Sequence, residues 1–264
     1  MRGLVEIVTR AADHALTLWG GGSPKLRQWE KEPGQPVCEA DIAVDTMLQR
    51  DLMALAPDAG WLSEETADDG KRLEAQRLWV VDPIDGTKDY IAGKPGWAVS
   101  VALVEQGKVV AGILAAPARN ELWIAQAGRG AQRNGQPLRT GARQTLAGAR
   151  VPTEKLPRED ADMVMVPRPN SIALRMALVA ADEADIVATA RWGNEWDIAA
   201  AALIARESGA CVTDALGKAL LFNQPQASAF GILCCAPGIF DEALNRLSTR
   251  TKRILARSPS PKGV

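Results

Sequence analysis

Apolar residues recur at helical spacing in the first segment, where Leu4, Ile7, Val8, Ala11, Ala12, Ala15 and Leu18 share one stripe. That spacing predicts an amphipathic helix, ended by Gly20-Gly21-Gly22-Ser23-Pro24. After a stretch containing Pro and Gly, from Lys31 to Pro36, a second helix is predicted from about Glu39 to Leu55 on Ile42, Val44, Met47, Leu48 and Leu52. From Leu78 the period changes. Leu78 to Val81 is a short apolar run that stops at Asp82-Pro83, as a buried strand does. Trp97 to Val104 and Val109 to Ala116 flank Glu105-Gln106-Gly107-Lys108 and predict a hairpin, with a third strand at Glu121 to Gln126.

Beyond about Arg139, strand-like runs (Met163 to Val166, Asp185 to Ala190, Phe230 to Cys235) alternate with helical ones (Ile172 to Ala180, Asp197 to Ser208). The pattern predicts an N-terminal α+β half over 1–139 packed on a C-terminal α/β half over 140–250. A last helix, about Phe240 to Leu247, precedes a basic segment, 251–264, expected to be a disordered tail.

Composition narrows the chemistry. The 264 residues carry a net charge of −1, so no basic field is available to hold a nucleic-acid polymer. The one histidine, His14, lies off the apolar stripe of its helix, which leaves little room for a histidine-rich zinc site or a Ser-His-Asp hydrolase. Carboxylates number 32 and favour hard cations such as magnesium. The four cysteines form no C-x-x-C pair and are expected as buried free thiols in a reducing cytoplasm. Glu6, Arg10 and Asp13 interrupt the apolar N-terminal stretch, so no signal-peptide core is expected there. No apolar run reaches membrane-spanning length, and no integral membrane association is expected.

The chemistry gathers in Trp79-Val80-Val81-Asp82-Pro83-Ile84-Asp85-Gly86-Thr87-Lys88-Asp89-Tyr90. A strand delivers Asp82 to its C-terminal end, where ligand sites in α/β sheets lie. Asp85 follows three residues later, and the Ile84 carbonyl offers a third oxygen between them. A lone Asp-Pro-x-Asp serves equally well as a turn initiator and helix N-cap. Three further features add weight: Ser63-Glu64-Glu65, Asp41 at the start of the second helix, and Trp196-Asp197 in the first turn of an Ala-rich helix. Small residues at 199–202 would let that helix approach a neighbour closely. Carboxylates gathered in one cleft repel one another unless cations neutralise them, so convergence of Glu64, Asp82, Asp85 and Asp197 would imply divalent metal.

The ordered set Asp41, Ser63-Glu64-Glu65, Asp82-Pro83-Ile84-Asp85-Gly86-Thr87 and Trp196-Asp197 resembles the inositol monophosphatase superfamily over nearly the whole chain. The resemblance implies a layered α/β/α/β/α sugar-phosphatase-like fold and a lithium-sensitive phosphatase with two or three Mg2+ ions. It implies metal ligation by Glu64, Asp82, the Ile84 carbonyl, Asp85 and Asp197. Thr87, with Glu64 or Asp41, would position the attacking water, although Asp41 could instead hold a further, weaker metal. A homodimer acting on a small phosphorylated substrate in the cytoplasm is also implied. One departure stands out: Glu207-Ser208-Gly209-Ala210 replaces the family's usual Glu-Ala-Gly-Gly.

Within the superfamily, Lys88-Asp89-Tyr90, Glu195 before Trp196-Asp197, and Ser171-Ile172-Ala173-Leu174-Arg175 resemble the 3'(2'),5'-bisphosphate nucleotidase branch. That likeness implies substrate contacts from Gly86, Thr87, Lys88, Ser171, Arg175, Glu195 and Asp197. The expected reaction is hydrolysis of the 3'-phosphate of adenosine 3',5'-bisphosphate by metal-activated water. The alternative is an inositol monophosphatase or a related sugar-phosphate phosphatase.

Overall fold

A computed structural model describes residues 1–20, 27–32 and 35–257. The expected break at 21–24, positions 33–34 of the Lys31 to Pro36 stretch, and tail residues 258–264 lie outside the described residues. In chain order the elements begin with α1 (Arg2–Leu18), β1 (Gln28–Glu32), β2 (Gln35–Cys38) and α2 (Glu39–Leu55). β3 (Gly60–Ser63), β4 (Arg77–Asp85), α3 (Thr87–Ile91), β5 (Ala98–Glu105) and β6 (Lys108–Ala116) follow. Next come β7 (Glu121–Gln126), β8 (Ala131–Arg133), β9 (Gln136–Pro137), β10 (Arg150–Pro152), β11 (Val164–Val166) and α4 (Ile172–Ala180). The chain closes with β12 (Ile186–Asn194), α5 (Glu195–Glu207), β13 (Cys211–Thr213), β14 (Ser228–Cys235) and α6 (Phe240–Leu255).

Strands β3 to β9 form a seven-stranded sheet in sequence order, parallel only between β3 and β4. Its central strands are apolar on both faces because helices cover both. On β4, Trp79 and Val81 pack with α1 and α2, whereas Leu78 and Val80 face α4 and α5. Helices α4 and α5 also pack against a second, antiparallel sheet of order β12-β14-β13, and α6 covers its outer side. The layers therefore run α/β/α/β/α, as expected.

Helix α4 is buried along its whole length, which explains why it is apolar all round rather than amphipathic. Helix α5 lies close on β6. A Cβ built at Gly112 would come within 2.9 Å of the Ala200 carbonyl oxygen, so the small residues on both elements set their spacing. After α5 the backbone turns at Gly209, with φ +97°.

One expectation is corrected. The last helix does not end near Leu247: α6 continues to Leu255, with Thr251 buried and Arg250 bonded to Asp160 at 2.6 Å. The basic composition of that segment therefore belongs to a helix face, and 251–255 are not tail. The polar stretch before α2 also contains an antiparallel hairpin, β1–β2, that no hydrophobic alternation announces.

Candidate active site

Each carboxylate reaches the site through its own local device. Parallel pairing sets Ser63 beside Val81, so Glu64 emerges next to Asp82. Asp82 continues the β4 face that carries Leu78 and Val80, the face toward α5. Its Oδ1 accepts the Ile84 N–H at 3.0 Å, closing a tight turn around Pro83. Gly86 then adopts φ +99°, and a Cβ there would meet the Gly96 carbonyl at 2.7 Å and the Ser171 nitrogen at 2.9 Å. Only glycine fits both the dihedral and the space.

Asp197 sits in the first turn of α5, where its Oδ2 accepts the Asn194 N–H at 3.1 Å. Asp41 does the same at the start of α2. Its Oδ2 accepts the Cys38 N–H and thiol, both at 2.9 Å, while its Oδ1 accepts the Thr87 hydroxyl at 3.2 Å.

Carboxylate oxygens of Glu64, Asp82 and Asp197 all lie within 4.8 Å of one another. Burial, reinforced by Glu64 and then Asp85, holds the Asp82 carboxyl well above the usual range. Burial followed by Asp85 and Glu64 pushes Asp197 up to about 8. Glu64 and Asp85 are raised as well, again chiefly by burial. Such a set is unfavourable while fully ionised unless cations enter, and an oxygen-only donor set suits a hard divalent ion. The residues fit a metal centre. They line a cavity of about 240 Å³ together with Ile84, Thr87 and Lys88.

The other expected residues divide. Asp85 lines the cavity, but its carboxylate accepts the Ala173 N–H at 2.8 Å, the Ser171 hydroxyl and, at 3.3 Å, the Ile172 N–H. It lies outside the tight group of three and ties β4 to the start of α4. The Thr87 hydroxyl lies 3.1 Å from the Ile84 carbonyl and 3.2 Å from Asp41, so the carboxylate it meets in this geometry is Asp41 rather than Glu64.

Gly86, Lys88 and Arg175 line the cavity. Ser171 and Glu195 are not among the residues that line it. The Ser171 hydroxyl is fully buried against Asp85. The Glu195 carboxylate is occupied by the N–H groups of Asn223 and Gln224, at 2.7 and 2.9 Å.

Three cations at the site are additional to those named from sequence. Lys31, on β1, pairs with Glu65 and lies 3.6 Å from Glu64. Burial opposes its charge, but Glu64 and Glu65 outweigh that and raise its pKa. Burial also pushes Glu65 up to about 7. Arg168 and Arg191 line the cavity alongside Arg175. No local motif marks any of the three.

The inositol monophosphatase family model matches residues 2–253. An inositol-1-monophosphatase of Mesorhizobium japonicum is 36% identical over 232 residues, covering 80% of this chain and 85% of that protein. The 3'(2'),5'-bisphosphate nucleotidase CysQ of Shigella flexneri is 32% identical over 228 residues, covering 81% and 90%. Among solved structures, the extragenic suppressor protein SuhB of Bartonella henselae superposes with a TM-score of 0.82 at 29% identity, covering 94% of this chain and 97% of its own.

Proposed function

Because the chain belongs to the inositol monophosphatase family, we propose that this phosphatase is a magnesium-dependent 3'(2'),5'-bisphosphate nucleotidase, removing the 3'-phosphate of adenosine 3',5'-bisphosphate. The observation that carries the reading is positive charge beside the carboxylates: Lys88 and Arg175 line the same cavity as Glu64, Asp82 and Asp197. One phosphate drawn to a metal-loaded centre needs no such cations, whereas a second phosphate does.

Glu64, Asp82 and Asp197 would hold the divalent ions, with Asp85 and the Ile84 carbonyl beside them. Ions bound there acidify water and offset phosphoryl charge. The chain itself supplies orientation. Thr87 has one hydroxyl proton, and donating it to Asp41 leaves its oxygen free to accept a proton from the attacking water. That contact turns the water's lone pair toward phosphorus, and Asp41 takes up positive charge displaced through the Thr87 hydroxyl. Lys88 and Arg175 fix the remote end of the substrate.

A second reading, hydrolysis of inositol monophosphate or a sugar phosphate, draws support from the inositol-1-monophosphatase relatives, which match at 34–36% identity. Phosphate release from adenosine 3',5'-bisphosphate and from inositol 1-phosphate, with magnesium or with chelator, tests the proposal. The expected result is magnesium-dependent turnover with the higher kcat/KM on the nucleotide. A higher kcat/KM on inositol 1-phosphate overturns the nucleotide assignment.

A further inference from the structure

Arg168, Arg175 and Arg191 come from three separate places: the loop after β11, the interior of α4 and the second half of β12. They nevertheless line one wall of the catalytic cavity, and the same three line an adjoining cavity of about 490 Å³. Their charges are weakly matched. Arg175 gives its Nε to the Ser171 carbonyl at 3.3 Å and one terminal nitrogen to the Asn170 carbonyl at 2.7 Å, both neutral acceptors. Arg168 pairs at 3.3 Å with Glu154, whose side chain is 78% exposed. Such an exposed partner contributes little. Arg191 has no carboxylate partner within ion-pair distance among the described residues.

Burial first, then Arg168, depresses the Arg175 pKa to about 10, with Arg191 adding to the effect and Asp85 opposing it. None of the three is held in a close ion pair by the carboxylates Glu64, Asp82, Asp85 and Asp197 of the same cavity, so with divalent ions on those acids the three guanidinium groups offer a site for a further anion beside that centre. Each can present paired N–H donors to phosphate oxygens.

We propose that Arg168, Arg175 and Arg191 form an anion subsite that receives a second phosphate of the substrate, on the wall between the two cavities. The remainder of the substrate then extends toward the larger cavity, whose lining includes Leu146, Met163, Ile186 and Leu247. This inference rests on the proposed function only in placing phosphate hydrolysis at the Glu64, Asp82 and Asp197 centre. It applies to any small bisphosphate, nucleotide or not.

The test uses Arg168→Gln and Arg191→Gln, singly and together. Neither side chain is deeply buried, so both variants should fold, and circular dichroism checks that they do. The readout is the ratio of kcat/KM on a bisphosphate to kcat/KM on inositol 1-phosphate, measured for adenosine 3',5'-bisphosphate and for a hexose bisphosphate. Each single change is expected to lower the ratio at least tenfold, and the double change further.

An unchanged ratio on both bisphosphates overturns the subsite. A ratio that falls for an enzyme preferring the hexose bisphosphate upholds the subsite while removing the nucleotide assignment. A second arm measures the rise in Tm given by inorganic phosphate in chelator. The wild type should gain several degrees and the double variant none. Loss of that gain with an unchanged ratio would assign the arginines to a free anion and overturn their role in substrate selection.

Discussion

Asp41 and Asp197 hold the same position in their helices: each, in the first turn, accepts the N–H of the N-cap residue on one carboxylate oxygen, from Cys38 at 2.9 Å and from Asn194 at 3.1 Å. The helix cap and the site are thus one arrangement, because the capping bond fixes each carboxylate and leaves its second oxygen available. For Asp41 that oxygen meets Thr87. Capping and ligation are often weighed as alternatives for an acidic residue at a helix start. Here the first supplies the geometry of the second.

Asn can keep the capping acceptor and lose the charge, whereas Ala loses both. Asp197→Asn should cut turnover at least 100-fold yet leave the metal-free protein no less stable than wild type, since a repelling charge has gone. Asp197→Ala should be less stable than Asp197→Asn by about 1 kcal/mol, the usual worth of a cap. Denaturant unfolding in chelator checks the ordering, and equal stabilities would show that the Asn194 bond does not matter.

Thr87→Ala should lower kcat by about 100-fold, in the range expected when a group that orients water and passes its proton is lost. Magnesium affinity should change little. Calorimetric titration beside steady-state kinetics separates the two. A matched loss of metal binding would place Thr87 in support of the metal shell.

Stability of the metal-free protein should fall as pH rises. Burial raises the Glu64, Asp82 and Asp85 carboxyls, with Asp197 at about 8 and Glu65 at about 7. Between the ordinary carboxylate range and those raised values, the folded chain binds more protons than the unfolded one. Stability therefore declines with pH across that window and is lost as pH passes through 7 and 8. Magnesium needs the deprotonated forms, so its stabilisation should grow over the same interval. Melting curves from pH 5.5 to 8.5, in chelator and in magnesium, test both slopes. A Tm in chelator that rises over this range contradicts the assignment.

Gly112→Ala should destabilise the protein by about 1–3 kcal/mol, as overpacking does, because the new methyl would meet the Ala200 carbonyl oxygen at 2.9 Å and its Cα at 3.1 Å. Urea unfolding measures the cost. A neutral result would show that α5 can move away from β6 freely.

What the sequence discloses and what it hides follow a physical division. Helices α1 and α2 and strands β4 to β6 are legible because their apolar periods match the faces they bury. Asp82, Glu64 and Asp197 are legible as a set through a family resemblance, and their convergence then follows from parallel β3–β4 pairing and the cap of α5. The β1–β2 hairpin is not legible. Gln28–Glu32 reads as polar chain, with Trp29 exposed, yet it carries Lys31 to Glu64 and Glu65. Ser171 and Glu195 show the opposite case. Both motifs are present, but their side chains are taken by Asp85 and by the N–H groups of Asn223 and Gln224. Arg168 and Arg191 lie 23 positions apart with no common signature, so only the fold brings them to one wall.

On the proposed function, the buried carboxylates around Asp82 hold the divalent ions on which phosphate hydrolysis depends. Phosphate release by wild type and Asp82→Asn, followed across a magnesium titration, tests it most directly. Wild-type activity should rise from near zero to saturation, while Asp82→Asn, folded by circular dichroism, should stay at least 1000-fold lower even at the highest magnesium. Near wild-type turnover by Asp82→Asn at saturating magnesium would contradict it.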